Sequence, residues 1–278
     1  MTPFTLKNSR AIITGASRGI GAAIALELAK KGCNLALSDL SVEMLSTTAR
    51  DARALGVEVT EHALDVSDPS AIKVFAKSII EMHPDTNLLI NNAGISLIGS
   101  FLSASEEQFE KVMNINFWGT VNMTRAFLSH FRSLPQAHIV NLSSLFGIVG
   151  PILQTAYASS KFAVRGFSET LLHELEHTEV GVTVVHPGGI KTALVQNSLF
   201  APTMQEDKQM KMKKSFDKMA LTTPEVTAAL IVSGIENRKK RLLIGIDAKL
   251  ITMLSRLFPV LYWKLLTFFQ GKKVDTSS

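Results

Sequence analysis

Short apolar runs and longer amphipathic stretches alternate along the first two-thirds of the chain. The runs Ala11–Thr14, Asn34–Ser38, Val57–Leu64, Leu88–Ile90, His138–Asn141 and Val182–Val185 are each the length of a strand. Most are continuous rather than alternating, the pattern of strands covered on both faces in a parallel sheet. Between them apolar residues recur at helical spacing. Ile20, Ile24, Leu28 and Ala29 follow the first run; Val42–Leu55, Ala71–Met82, Glu106–Phe131 and a stretch from Thr155 to about Thr178 come later. Strand and helix thus alternate six times. The prediction is an α/β chain with a doubly wound parallel sheet and a site at the carboxyl ends of its strands.

Those ends carry small and polar residues. The first strand runs into Gly15-Ala16-Ser17-Arg18-Gly19-Ile20-Gly21 and then a helix, the context of a phosphate-binding loop. Gly15 permits a tight turn, Gly19 lets backbone approach a pyrophosphate, and Gly21 lets helix pack on strand. The helix N-terminus points N–H groups and a positive dipole end at the phosphates. The spacing is GxxxGxG, not the more general GxGxxG. Asp39 ends the second strand about 20 residues on, where an acid holds ribose hydroxyls and repels a 2′-phosphate. Arg18 pulls toward that phosphate. Asp39 carries more weight, which favours NAD with NADP as the alternative; its other reading is a cap for the helix after Ser41. Asp65 either meets an adenine amino group or caps the turn at Asp68-Pro69. Asn91-Asn92-Ala93-Gly94 follows the fourth strand, small enough for a cofactor to pass close to backbone.

A second cluster comes later. Tyr157 and Lys161 stand four apart on a helix, so their side chains share one face. A free phenol has a pKa of about 10, and a neighbouring ammonium favours the phenolate. Ser144 lies thirteen residues before Tyr157, just past a strand. A phenol, an ammonium and a hydroxyl converging there make a proton-transfer site. Asn116, a mediocre helix residue, sits in the middle of Glu106–Phe131 and marks a local distortion able to hold a water.

Composition narrows the choice. The chain has 278 residues, 46% of them hydrophobic, enough for one large core. A net charge of +5, with acids and bases interleaved, gives nucleic-acid binding little support. Cys33 is the single cysteine, so no internal disulfide forms and a reducing, cytoplasmic setting is expected. No apolar leader is visible in MTPFTLKNSR. His186 has no second ligand nearby and reads as structural rather than metal-binding.

Taken in order, Thr14–Gly21 (TGASRGIG), Asp65-Val66, Asn91–Gly94 (NNAG), the Asn116 motif NINFWG, Ser143-Ser144, Tyr157–Lys161 (YASSK) and Pro187–Thr192 (PGGIKT) resemble the short-chain dehydrogenase/reductase family, from about Leu6 to Ile246. The resemblance implies a Rossmann-type fold and an oxidoreductase that moves a hydride between nicotinamide and a secondary alcohol or ketone. It implies that Tyr157 is the general acid or base, that Lys161 lowers its pKa and holds the nicotinamide ribose, that Ser144 bonds the substrate oxygen, and that Asn116 keeps a relay water. It places the cofactor against Gly15, Ser17, Arg18, Gly19, Ile20, Gly21, Asp39, Leu40, Asp65, Val66, Asn92, Ala93, Gly94, Tyr157, Lys161, Pro187, Gly188, Ile190 and Thr192. It also suggests a homodimer or homotetramer built on Glu106–Phe131 and Thr155–Thr178. Rival readings are a 3-oxoacyl-[acyl-carrier-protein] reductase and a non-catalytic dinucleotide-binding regulator.

The catalytic domain is expected over 1–246, with a lid at about 193–220 and an apolar helical extension over 247–278. The lid is rich in Lys and Met, a flexible lining suited to an apolar substrate. In the extension Lys249, Arg256 and Lys264 recur on one narrow helical face, the rest is apolar, and Pro259 should kink or divide the helix. Two readings stand: an interfacial helix lying on a membrane through 247–270, or a helix pair closing the pocket or a subunit interface. The second is favoured, because apolar helices pack on protein more often.

Overall fold

The computed structural model describes residues 2–269. Seven parallel strands form the central sheet: β1 (Arg10–Thr14), β2 (Asn34–Asp39), β3 (Val59–Ala63), β4 (Thr86–Asn91), β6 (Ala137–Leu142), β7 (Val180–Pro187) and β9 (Arg241–Ile244). Their order is β3-β2-β1-β4-β6-β7-β9. A small parallel pair, β5 (Leu97–Ile98) and β8 (Leu199–Phe200), stands beside it. The strand order reverses between β1 and β4, and the crevice above that switch is where such sheets bind ligands.

Each strand sends alternate residues to opposite faces. Ile13, Leu35, Leu37, Leu88 and Ile90 meet α1 (Gly19–Lys30), α2 (Val42–Arg53) and α8 (Pro224–Glu236) on one side. Ile12, Ala36, Leu89, Ile139 and Val182 meet α3 (Pro69–Met82), α5 (Gly119–Arg132) and α6 (Thr155–Glu174) on the other. Phe127 and Phe131 of α5 are fully buried there, each worth about 1.5–3 kcal/mol. Cys33 lies in the first core, and burial pushes its thiol up to about 12.

Three boundaries differ from the sequence reading for local reasons. The third helix starts at Pro69, two residues early, because the Asp68 carboxylate accepts from the N–H groups of Ser70 and Ala71. The long helix from Glu106 is not continuous. Regular helix α4 (Glu106–Met113) gives way to a π-helical turn at Asn114–Trp118 before α5 begins. The helix carrying Tyr157 ends at Glu174, not near Thr178, and the Thr178 hydroxyl donates to the Leu175 carbonyl in the turn that follows. The lid contains β8 and α7 (Glu206–Met219). Around Pro259 the extension divides into α9 (Ile246–Leu257) and α10 (Tyr262–Phe269); residues 270–278 of the expected extension lie outside the described residues. No described helix is long and apolar enough to cross a membrane.

Candidate active site

A cleft of about 290 Å³ opens at the carboxyl ends of β1, β2, β4, β6 and β7. Its dinucleotide end begins at the glycine loop. Gly15 and Gly19 have φ of 63° and 59°, the left-handed region that favours glycine. No side chain caps α1, so its first N–H groups face the cleft in want of an acceptor. The buried Ser17 hydroxyl has no protein partner. These are the features a pyrophosphate would satisfy, and the loop fits a dinucleotide.

Asp39 does not cap the following helix. One carboxylate oxygen accepts from the Ser17 N–H at 3.0 Å and the other from Leu40 N–H at 2.9 Å. The carboxylate is thereby fixed at the cleft wall, with Arg18 exposed on the rim. Asp65 also lines the cleft but holds its own turn, accepting from the Ser67 N–H and hydroxyl. Leu40, Val66, Ala93, Gly94, Pro187, Gly188, Ile190 and Thr192 line the cleft. Asn92 does too, and its amide donates to the carbonyls of Thr14 and Gly15 at 2.9 Å each. Gly21 is the exception. It sits behind the loop, where a Cβ would lie 2.2 Å from the Gly15 carbonyl oxygen. Thr14 went unrecognised in the sequence: its hydroxyl accepts from the N–H groups of Asn92 and Ala93 and so ties β1 to the NNAG turn.

The chemical end is built on α6, which a buried polar chain fixes against the sheet. Asn91 donates to Asn141, Asn141 to Ser168, and Ser168 to the Val164 carbonyl. One turn of this helix brings Tyr157 and Lys161 to the cleft together with Ser144. Tyr157 is buried, with the Phe146 ring edge-on at 6.3 Å. Burial pushes the Tyr157 phenol up, and a hydrogen bond with the Ser144 hydroxyl pulls the other way. The Lys161 ammonium lies 5.8 Å from the Tyr157 ring centre and donates to the Leu142 carbonyl at 2.7 Å. Burial lowers Lys161 itself to about 8.

Asn116 lies in the π turn, fully buried. Its amide exchanges hydrogen bonds with both backbone groups of Ile95 and donates to the Ser160 hydroxyl at 2.9 Å. Its carboxamide oxygen and the Lys161 ammonium both border Gly94, at 3.2 and 3.4 Å from where a Cβ would be. Asn116 therefore joins the NNAG turn to α6. Gly119 closes the π turn against Val66, whose carbonyl oxygen would lie 3.0 Å from a Cβ. At the outer end the lid contributes Ala193, Leu194, Asn197 and Phe216. Phe216 was not read as a site residue, since nothing in the polar sequence of α7 singles out one aromatic.

The short chain dehydrogenase family model matches residues 9–201. SadH of Mycobacterium tuberculosis is 41% identical over 258 residues, covering 92% of this chain and 92% of that protein. A short chain dehydrogenase/reductase from Burkholderia phymatum, solved in complex with NAD, has a TM-score of 0.82 at 26% identity over 99% of each chain. A metagenomic short-chain oxidoreductase solved with NADP is 33% identical with a TM-score of 0.64, covering 66% of this chain and 84% of its own. With a family match over well beyond half its length, and the glycine loop and Tyr157 helix in one cleft, the chain belongs to the short-chain dehydrogenase family.

Proposed function

We propose that this NAD(P)-dependent oxidoreductase interconverts an apolar secondary alcohol and its ketone, with NAD preferred. The observation that carries the reading is the convergence of Tyr157, Lys161 and Ser144 on the same cleft as the glycine loop and Asp39. Gly15, Ser17, Gly19 and the α1 N-terminus would hold the pyrophosphate, Asp39 a ribose, and Lys161 the nicotinamide ribose. Bound there, the nicotinamide supplies or accepts the hydride. Tyr157 gives its proton to the carbonyl oxygen in reduction and takes it back in oxidation. Ser144 donates to the same oxygen, and the relay that restores the proton runs past Lys161 and Asn116. The test is a panel of apolar ketones and one 3-oxoacyl thioester with NADH and NADPH. Best turnover of the thioester would favour the acyl-carrier reductase instead.

Cofactor choice has its own expected outcome. NADH binds more tightly than NADPH, because the fixed Asp39 carboxylate would face the 2′-phosphate. Asp39→Ala narrows that gap by about tenfold or more, ~1.4 kcal/mol, in a fluorescence titration. It also weakens both cofactors, since Ser17 loses its acceptor. A wild-type preference for NADPH would mean that Arg18 outweighs Asp39.

The C-terminal helices belong to the substrate end. The Asp247 carboxylate accepts from the Gly189 N–H at 2.7 Å, and the Tyr262 hydroxyl accepts from the Gly150 N–H at 3.2 Å. The first bond anchors the start of α9 and the second anchors α10, while Ala248 is the residue of α9 buried against protein. The opposite side exposes Ile246, Leu250, Met253 and Leu257 at helical spacing, flanked by exposed Lys249 and Arg256. An exposed apolar stripe bordered by Lys249 and Arg256 supports contact with an anionic lipid surface. Full-length protein is expected to sediment with phosphatidylglycerol-containing vesicles and not with pure phosphatidylcholine, and Leu250→Glu to abolish this. A loss of dimer instead of vesicle binding would identify the stripe as a subunit interface. Exposed Trp118 and Phe162, on the helices expected to carry oligomer contacts, support a homodimer or homotetramer built there.

A further inference from the structure

We propose that His186 is a positioning residue: beyond the last backbone bond of the ladder its ring ties the Ser144 carbonyl to β7, and so holds the Ser144 segment against Tyr157. The proposal rests on the reading of Ser144 as the donor to phenol and substrate oxygen.

The strands β6 and β7 pair in parallel from Ala137 with Val180 to Leu142 with Val185. Beyond Leu142 the ladder makes one more bond, from the Ser143 N–H to the Val185 carbonyl at 2.9 Å. The next donor in a parallel ladder would be the N–H of residue 187, and proline has none. Its acceptor would have been the Ser143 carbonyl, so the backbone ladder to β7 ends just before Ser144. His186 fills the gap with its side chain. Its ring is fully buried, and Nδ1 lies 3.0 Å from the Ser144 carbonyl oxygen. A carbonyl only accepts, so the ring donates and its proton resides on Nδ1.

The other ring nitrogen confirms which form is held. Nε2 is buried and has no protein partner. Protonating it would bury a charge with no acceptor. Arg241 and Arg165 also disfavour the cation, Glu169 and the bond to Ser144 favour it, and burial dominates, lowering the imidazole to about 4. His186 is therefore a neutral donor throughout the working pH range. Downstream, the Ser144 hydroxyl accepts from the Phe146 N–H at 3.1 Å. That bond occupies one lone pair and leaves the hydroxyl proton for Tyr157, whose phenol it stabilises in the ionised form. Ser144 is thus held at its carbonyl by His186 and by the Gly147 N–H at 2.9 Å, and at its hydroxyl by Phe146.

The chain has only two tyrosines, Tyr157 and Tyr262, so the Cζ signal of Tyr157 can be followed by NMR across pH in the NAD-bound protein. In His186→Leu the Ser144 carbonyl loses its link to β7 and keeps only the local bond from the Gly147 N–H, and the Tyr157 midpoint rises by about half a pH unit or more, roughly threefold in proton affinity. In His186→Asn the amide nitrogen stands at the same number of bonds from Cα as Nδ1, and the midpoint stays at the wild-type value. A Leu variant with an unmoved midpoint, or an Asn variant that shifts as far as Leu, overturns the proposal. Ser144→Ala separates the two ideas. If it leaves the midpoint unchanged, the reading of Ser144 fails; if it raises the midpoint while His186→Leu does not, only the role of His186 fails. Should the Leu variant not fold, the ¹⁵N shifts of His186 in the wild-type holoenzyme decide: protonation at Nδ1 is expected, and protonation at Nε2 sinks the idea.

Discussion

Tyr157→Phe reduces an apolar ketone about 10³-fold more slowly than wild type while binding NADH within about threefold of it. The substitution removes one hydroxyl and leaves a ring of the same shape in a buried site beside Phe146. The glycine loop, Asp39 and the α1 N-terminus are untouched, so the cofactor half of the cleft keeps its geometry. What is lost is the proton at the reacting oxygen. The pH dependence follows in sign. Reduction uses the phenol and slows as pH rises through the Tyr157 pKa, whereas oxidation uses the phenolate and speeds up through the same range. Both limbs vanish in the Phe variant. Steady-state kcat with NADH across pH and a calorimetric NADH titration check this. A kcat within tenfold of wild type would move the proton donor elsewhere in the cleft. Undetectable turnover in both proteins, with NADH still bound, would favour a non-catalytic regulator.

The parts of this site that could be read in the sequence are those set by short-range rules. Strands buried on both faces must be continuously apolar, so β1, β2, β4, β6 and β7 stand out, and their ends locate the cleft. Tyr157 and Lys161 are neighbours because any α-helix makes them so. Asn116 betrayed the break in its helix because its amide competes with the helical ladder, and in the structure it bonds Ile95 instead. Long-range packing was not legible. The cleft position of Phe216 depends on where α7 lies over the sheet. The direction in which the Tyr157 phenol shifts depends on how deeply it is buried, against the pull of the Ser144 hydroxyl. The basic stripe of the extension was visible, but which apolar residues of α9 face outward follows from Ala248 packing inward and Asp247 bonding Gly189.

Gly21 shows how a residue behind the cleft lining can still set the shape of the cleft. Its φ is not in the left-handed region, so its need for glycine is a matter of space alone. A Cβ there would lie 2.2 Å from the Gly15 carbonyl oxygen and 2.5 Å from the Asn92 amide nitrogen. Neither can move freely, because that amide already bridges the carbonyls of Thr14 and Gly15. Relief requires α1 or the phosphate loop to shift bodily, and overpacking of this kind costs about 1–3 kcal/mol or more. Gly19 gives the contrast. Its Cβ would meet only Thr192 at 3.5 Å, but its φ of 59° imposes a left-handed backbone that costs an alanine about 1–2 kcal/mol. Gly21→Ala should therefore weaken NADH binding about 100-fold or more, ~2.7 kcal/mol, and lower Tm by roughly 4–12 °C. Gly19→Ala should cost about tenfold in binding and a smaller part of that Tm. Parallel calorimetry and thermal melts on the two variants check the order. Equal effects would mean that the loop yields at Gly15, and that the contact between α1 and β1 does not set the shape of the phosphate cradle.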